Sequence, residues 1–125
     1  MNMNDIALVT AGSIGILVAV IHGVLLHRLM VQPALEAAPL TKISKRLLPL
    51  LMQFSTICWF IGGIALIAAP IWFDPSARLT TAFFVGGFYI YGTIGNLWGT
   101  KGRHIGWVLL VIAVLLIAYG ATDGL

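Results

Sequence analysis

Four uncharged polar side chains, His22, Gln53, Asn96 and Tyr89, stand inside otherwise apolar runs, and these are the residues whose chemistry asks for an explanation. An imidazole titrates near neutral pH, so His22 can shuttle a proton or ligate a metal or haem. Carboxamides and a phenol can donate and accept hydrogen bonds but do little else unaided. His22 lies six residues before Arg28, Gln53 seven after Arg46, and Asn96 five before Lys101. At 1.5 Å rise per residue, each is roughly 7–11 Å inside the border that those basic residues mark. Tyr89 is about two turns from Asn96 on the same face, farther from that border. Groups of this kind have no water partner in lipid, so they are expected to turn inward and find one another. Two readings stay open. One is a structural hydrogen-bonded layer that fixes helix register and needs no cofactor. The other is a site for a proton, a quinone headgroup, a metal or a haem, with His22 as candidate ligand.

Other chemistry is poorly supplied. His27 and His104 stand beside Arg28 and Arg103, where histidines serve at headgroup level. His22 and His27 are five apart, about 140° around a helix, which is poor ligand spacing, and no cysteine or carboxylate completes a set. No metal site is expected. Cys58, the single cysteine, lies in an apolar run and reads as a small core hydrophobe. No Asp or Glu falls inside an apolar run, which excludes the proton-coupled mechanism of small four-helix multidrug antiporters. Gly12-Ser13-Ile14-Gly15 lies mid-span and is packing material, not a phosphate loop. No nucleophile–base pair or paired carboxylates give positive sign of an enzyme.

The elements that must position these residues are four apolar segments, about 6–27, 47–69, 79–97 and 105–121, in a single domain of 125 residues that is 60% hydrophobic and 9% charged. So small a soluble domain could not hide that much apolar surface. Each segment is close to the ~20 residues needed to cross a hydrocarbon core as a helix, and lone strands would leave peptide groups unpaired there. The expected fold is all-α: a bundle of four transmembrane helices with short loops. Met1 to Asp5 carry no Lys or Arg, so the first run is expected to remain in the mature protein.

Orientation follows from charge. Arg28, Lys42, Lys45 and Arg46 lie in the first connection, Lys101 and Arg103 in the third, so six of seven basic residues fall on one side. Arg78 is alone on the other, with Asp5, Asp74 and Asp123. The positive-inside rule places the first and third connections in the cytoplasm and both termini outside. Trp72, Trp98 and Trp107 fall at the expected interfaces. The net charge of +3 is spread between apolar runs in the manner of membrane orientation, so no nucleic-acid partner is expected.

Small residues give the packing. Ala11, Gly15, Ala19 and Gly23 recur every fourth residue on the first helix, and Gly95 and Gly99 form a GxxxG pair on the third. Such stripes let backbones approach closely, within the bundle or across a homodimer. At 100° per residue His22 falls within about 20° of Gly15, on the packed side.

The segments Ile21-His22-Gly23, His27-Arg28-Leu29, Arg46-Leu47-Leu48 through Ser55-Thr56 and Trp59, and the loop Lys101-Gly102-Arg103-His104-Ile105-Gly106-Trp107 resemble a family of short bacterial four-helix membrane proteins of uncharacterised function. The resemblance covers nearly the whole chain. Its relatives often carry a histidine where this chain has Gln53, a departure that weakens a haem or metal reading. Arg28-Leu29-Met30-Val31 and Arg46-Leu47-Leu48 are similar, locally, to the membrane-bound protoporphyrinogen oxidase family. That family's first-helix histidine falls around Ala11 here, so neither its haem nor its reaction carries over. Phe54-Ser55-Thr56 echoes a segment of four-helix fluoride channels, whose other marks are missing.

The expectation is therefore a non-catalytic, multi-pass bacterial inner-membrane protein, an accessory or assembly component of a membrane complex or a homo-oligomer. Its partners would be the lipid bilayer and a membrane protein or a second copy. A small redox or transport module centred on His22 is the alternative.

Overall fold

The structure, a computed structural model, describes residues 1–37 and 39–122; Asp123, on the outer side of the charge argument, and Leu125 at the C-terminus lie outside the described residues. It is all-α among them, with four helices: α1 (Met3–Ala37), α2 (Lys42–Trp72), α3 (Pro75–Gly99) and α4 (Gly106–Gly120). α1 and α2 are long and apolar enough to cross a membrane.

The helices start where local chemistry provides for their free N–H groups. Asn2 accepts from the Asp5 N–H at 2.8 Å while the Asp5 carboxylate accepts from the Asn2 N–H at 3.0 Å, a reciprocal cap. Thr41 caps α2 by accepting from the Ser44 N–H, and Asp74 caps α3 from Ala77, with Pro75 pre-set at the first helical position. α3 ends at a turn in which Lys101 and Gly102 both take positive φ, and the Gly102 N–H returns to the Leu97 carbonyl at 2.9 Å.

Both long helices run past the apolar stretches that the hydropathy pattern marks. α1 does not stop near His27. It widens into a π-helical turn, His27–Val31, and resumes as α-helix over Gln32–Ala37. Pro33 has no N–H, and in a regular α-helix its ring would collide with the Leu29 carbonyl. The wider turn just before it, in which the N–H at Gln32 reaches the His27 carbonyl five residues back, accommodates it. α2 contains a second irregularity. Lys42–Met52 and Phe54–Trp72 meet at Gln53, where ψ rises to 0°, four residues after Pro49.

Neighbouring helices run antiparallel. α1 meets α2 where Gly12 and Gly63 face each other so closely that a Cβ on either would fall 2.5–2.6 Å from the other's carbonyl oxygen. α4 lies back along α1, with Leu8 beside Gly120 and the Asn4 amide donating to Thr122 at 3.2 Å. α3 packs against α2 through Val85 on Gly62, and against α4 through Gly86 and Ile117. Leu8, Ala11, Leu66, Tyr89, Leu110 and Ala113 fill the centre.

Candidate functional site

Each sequence-marked polar residue reaches the bundle interior or its edge, but they do not hydrogen-bond one another. Gln53, at the break in α2, donates from Nε2 to the Gly23 carbonyl of α1 at 2.9 Å. Asn96 donates to the Gly92 carbonyl one turn back on its own helix at 2.8 Å. Tyr89 is fully buried and donates its hydroxyl proton to the Trp59 carbonyl at 3.3 Å. His22 is half-buried, and its ring lies 4.7 Å from the Trp59 ring, tilted by 53°. The acceptor is a backbone carbonyl in each case, on a neighbouring helix for Gln53 and Tyr89 and one turn back on its own helix for Asn96.

The organiser is Trp59, which enters the sequence argument only as part of the family resemblance and not among the polar residues of the site. Its indole is buried between α1 and α3, and Nε1 donates to the Phe88 carbonyl at 3.2 Å. One face meets His22, and the ring lies over Gly92, where a Cβ would collide with it. A signal was available. Trp72, Trp98 and Trp107 stand near helix ends, but Trp59 is mid-segment, where its donor must find a protein acceptor.

Gly15 belongs to the same arrangement. The Tyr89 hydroxyl occupies the space a Cβ at Gly15 would take, which lets α3 reach α1 across the bundle. Ala11 and Ala19 are fully buried on the same stripe, and a Cβ at Gly23 would fall 2.9 Å from a Thr56 methyl. Gly95 and Gly99 are different: among the described residues nothing lies within 4 Å of a Cβ at either, so no other described helix packs against the GxxxG pair. Gly87, on the same helix, is equally open.

Neither a family model, a curated protein nor a solved structure matches the chain.

At the bundle's two ends the geometry is polar and electrostatic. Arg78 at the start of α3 reaches back 73 residues to Asp5, its Nη2 donating to Oδ1 at 2.6 Å. The Asn2 N–H and the Arg78 guanidinium hold the Asp5 carboxyl below the usual carboxylate range, and the Ala77 N–H and the Ser76 hydroxyl do the same for Asp74. At the opposite end, His104 accepts from the Gly106 N–H through Nδ1 at 3.0 Å and so caps α4, and His27 approaches Gln32 at 3.4 Å. Among the described residues no three His, Cys, Asp or Glu side chains converge as metal ligands would.

A groove of about 860 Å³ opens on the outside of the bundle between α2, α3 and α4. Phe54, Cys58, Phe84, Phe88, Tyr91 and Val114 are among its walls, which are almost wholly apolar. Trp59, whose ring meets His22, is also among its walls.

Proposed function

We propose that this chain is a non-catalytic integral membrane bundle of four spans that serves as an accessory or assembly subunit, held to a membrane partner or to a second copy. Large apolar side chains cover its outside: Phe83 and Trp72 are each 76% exposed, and Trp98 is 84% exposed. Monomers in water rarely show such contiguous apolar surface, whereas lipid accepts it. The observation that carries the partner reading is the contrast on α3. Its inner glycines are filled by α4 and by the Trp59 ring, while Gly87, Gly95 and Gly99 on its outer surface face nothing.

The orientation we propose is N-out and C-out in a bacterial inner membrane. Arg28, Lys42, Lys45, Arg46, Lys101 and Arg103 gather at one end of the antiparallel bundle. Arg78, the exception, is paired with Asp5, so its charge does not compete with the basic end. A reporter fused after Leu125 should read periplasmic, and a cytoplasmic signal overturns the orientation. Purification from native membrane in mild detergent should recover a partner or a homo-oligomer. A monodisperse monomer with no companion overturns the accessory reading.

A second reading has one observation in its favour. His22 keeps a half-buried imidazole against Trp59, and the neighbouring Gly23 carbonyl accepts from Gln53 across the helix pair. A redox, quinone, haem or transport role would centre there. A Soret band in the purified protein, lost in His22→Gln, would establish that role over the structural one.

A further inference from the structure

The first part of α2, Lys42–Met52, has more helix than a membrane crossing requires. The whole of α2 is 31 residues, so at 1.5 Å per residue it is about 46 Å long against a hydrocarbon core of about 30 Å. The Phe54–Trp72 part, 19 residues, is enough alone for about 28 Å. The break at Gln53 divides the two.

This surplus segment is strongly two-faced. Lys42, Lys45 and Arg46 fall within about 100° of one another around the helix, while Ile43, Leu47, Leu50 and Leu51 occupy a neighbouring arc of about 100°. All seven are exposed, Ile43 at 70% and Leu51 at 71%; Ser44, Leu48 and Met52 on the remaining arc are half-buried. No Asp or Glu lies between Lys42 and Met52, and Arg28 adds another exposed cation on the π-helical turn that this segment touches.

We propose that Lys42–Met52 is an interfacial helix that binds the headgroups of anionic phospholipids at the basic end of the bundle. It rests on the reading that the chain crosses the membrane. Four exposed leucine and isoleucine side chains demand an apolar medium, and three cations beside them demand fixed negative charge. A leaflet rich in anionic lipid supplies both at one depth. A nucleic acid would neutralise the cations and leave the leucines in water.

The test uses the full chain in mild detergent, with native mass spectrometry of lipid binding. Phosphatidylglycerol and phosphatidylethanolamine of identical acyl chains are titrated separately. The wild type should retain phosphatidylglycerol at least about tenfold more tightly. Lys42→Gln/Lys45→Gln/Arg46→Gln should lose that preference, while Lys42→Arg/Lys45→Arg should keep it. Lys101→Gln/Arg103→Gln removes charge at the same end and should leave most of it. Equal loss in the two Gln sets, or no preference in the wild type, overturns the proposal. Each variant is also extracted with alkaline carbonate. A chain that stays in the membrane but shows no lipid preference refutes this site alone, whereas a chain released into the wash refutes the membrane reading and the site with it.

Discussion

Gly15 and Gly95 are the same residue in the same kind of helix, yet one is crowded and the other is bare. Opposite Gly15 stands the Tyr89 hydroxyl, fully enclosed; opposite Gly95 there is open space. The inner stripe works because aromatic rings from other helices were placed into it: Tyr89 against Gly15, Trp59 over Gly92. The outer glycines have the spacing without the ring. A small-residue pattern therefore marks a surface able to accept close approach, and only the opposing element decides whether that approach happens within the chain.

The sharpest way to break this contrast is Gly15→Leu. With Tyr89 fixed by its bond to the Trp59 carbonyl, overpacking should cost about 3 kcal/mol, read as a lowered melting temperature in detergent. Ser13→Leu is the control, because Ser13 is exposed and bonds only to the Val9 carbonyl of its own helix. Equal melting of the two variants removes the stripe from the account. Next is Trp59→Phe, which removes the indole's hydrogen bond to the Phe88 carbonyl and thins the contact with His22; about 2 kcal/mol is expected by the same measurement.

His22→Leu should cost about 1 kcal/mol by losing the ring contact on Trp59, and His22→Phe should restore much of it. A phenyl that repairs the melting temperature shows the ring to be structural. Gly95→Ala is expected to stay within about 0.5 kcal/mol of wild type, since an added methyl meets nothing. Loss of a co-purifying partner without loss of stability would place that partner on α3.

The smallest effect is the pH dependence at Asp5. Its carboxyl is held below the ordinary carboxylate value of 3.8, so the folded state binds its proton less readily than the unfolded chain does. The stabilisation is present above that value and is lost as the pH falls through the depressed folded one. Arg78→Gln should flatten this acid limb of the melting curve, and an unchanged limb shows the ion pair to be idle.

The all-α architecture was legible because long apolar runs punctuated by Pro, Gly and charge leave few other solutions. The inward side of α1 was legible too, from the four-residue rhythm of Ala11, Gly15 and Ala19. The helix ends were not. The first apolar segment ends near residue 27, but a widened turn carries α1 on through Pro33 to Ala37. Partners across the fold were equally hidden: nothing local says that Arg78 meets Asp5, or that Gln53 prefers the Gly23 carbonyl to His22. Residue spacing gives a side chain's expected depth, but depth does not fix direction.

That bond between Gln53 and Gly23 has a mechanical consequence. The Gly23 carbonyl also receives the His27 N–H, the last regular bond before α1 widens, and Gln53 is itself the residue at which α2 breaks. The two places where the long helices depart from ideal geometry are thus pinned to each other through one oxygen atom. They make a single joint: a bend in either helix at this level would strain the bond that the other holds.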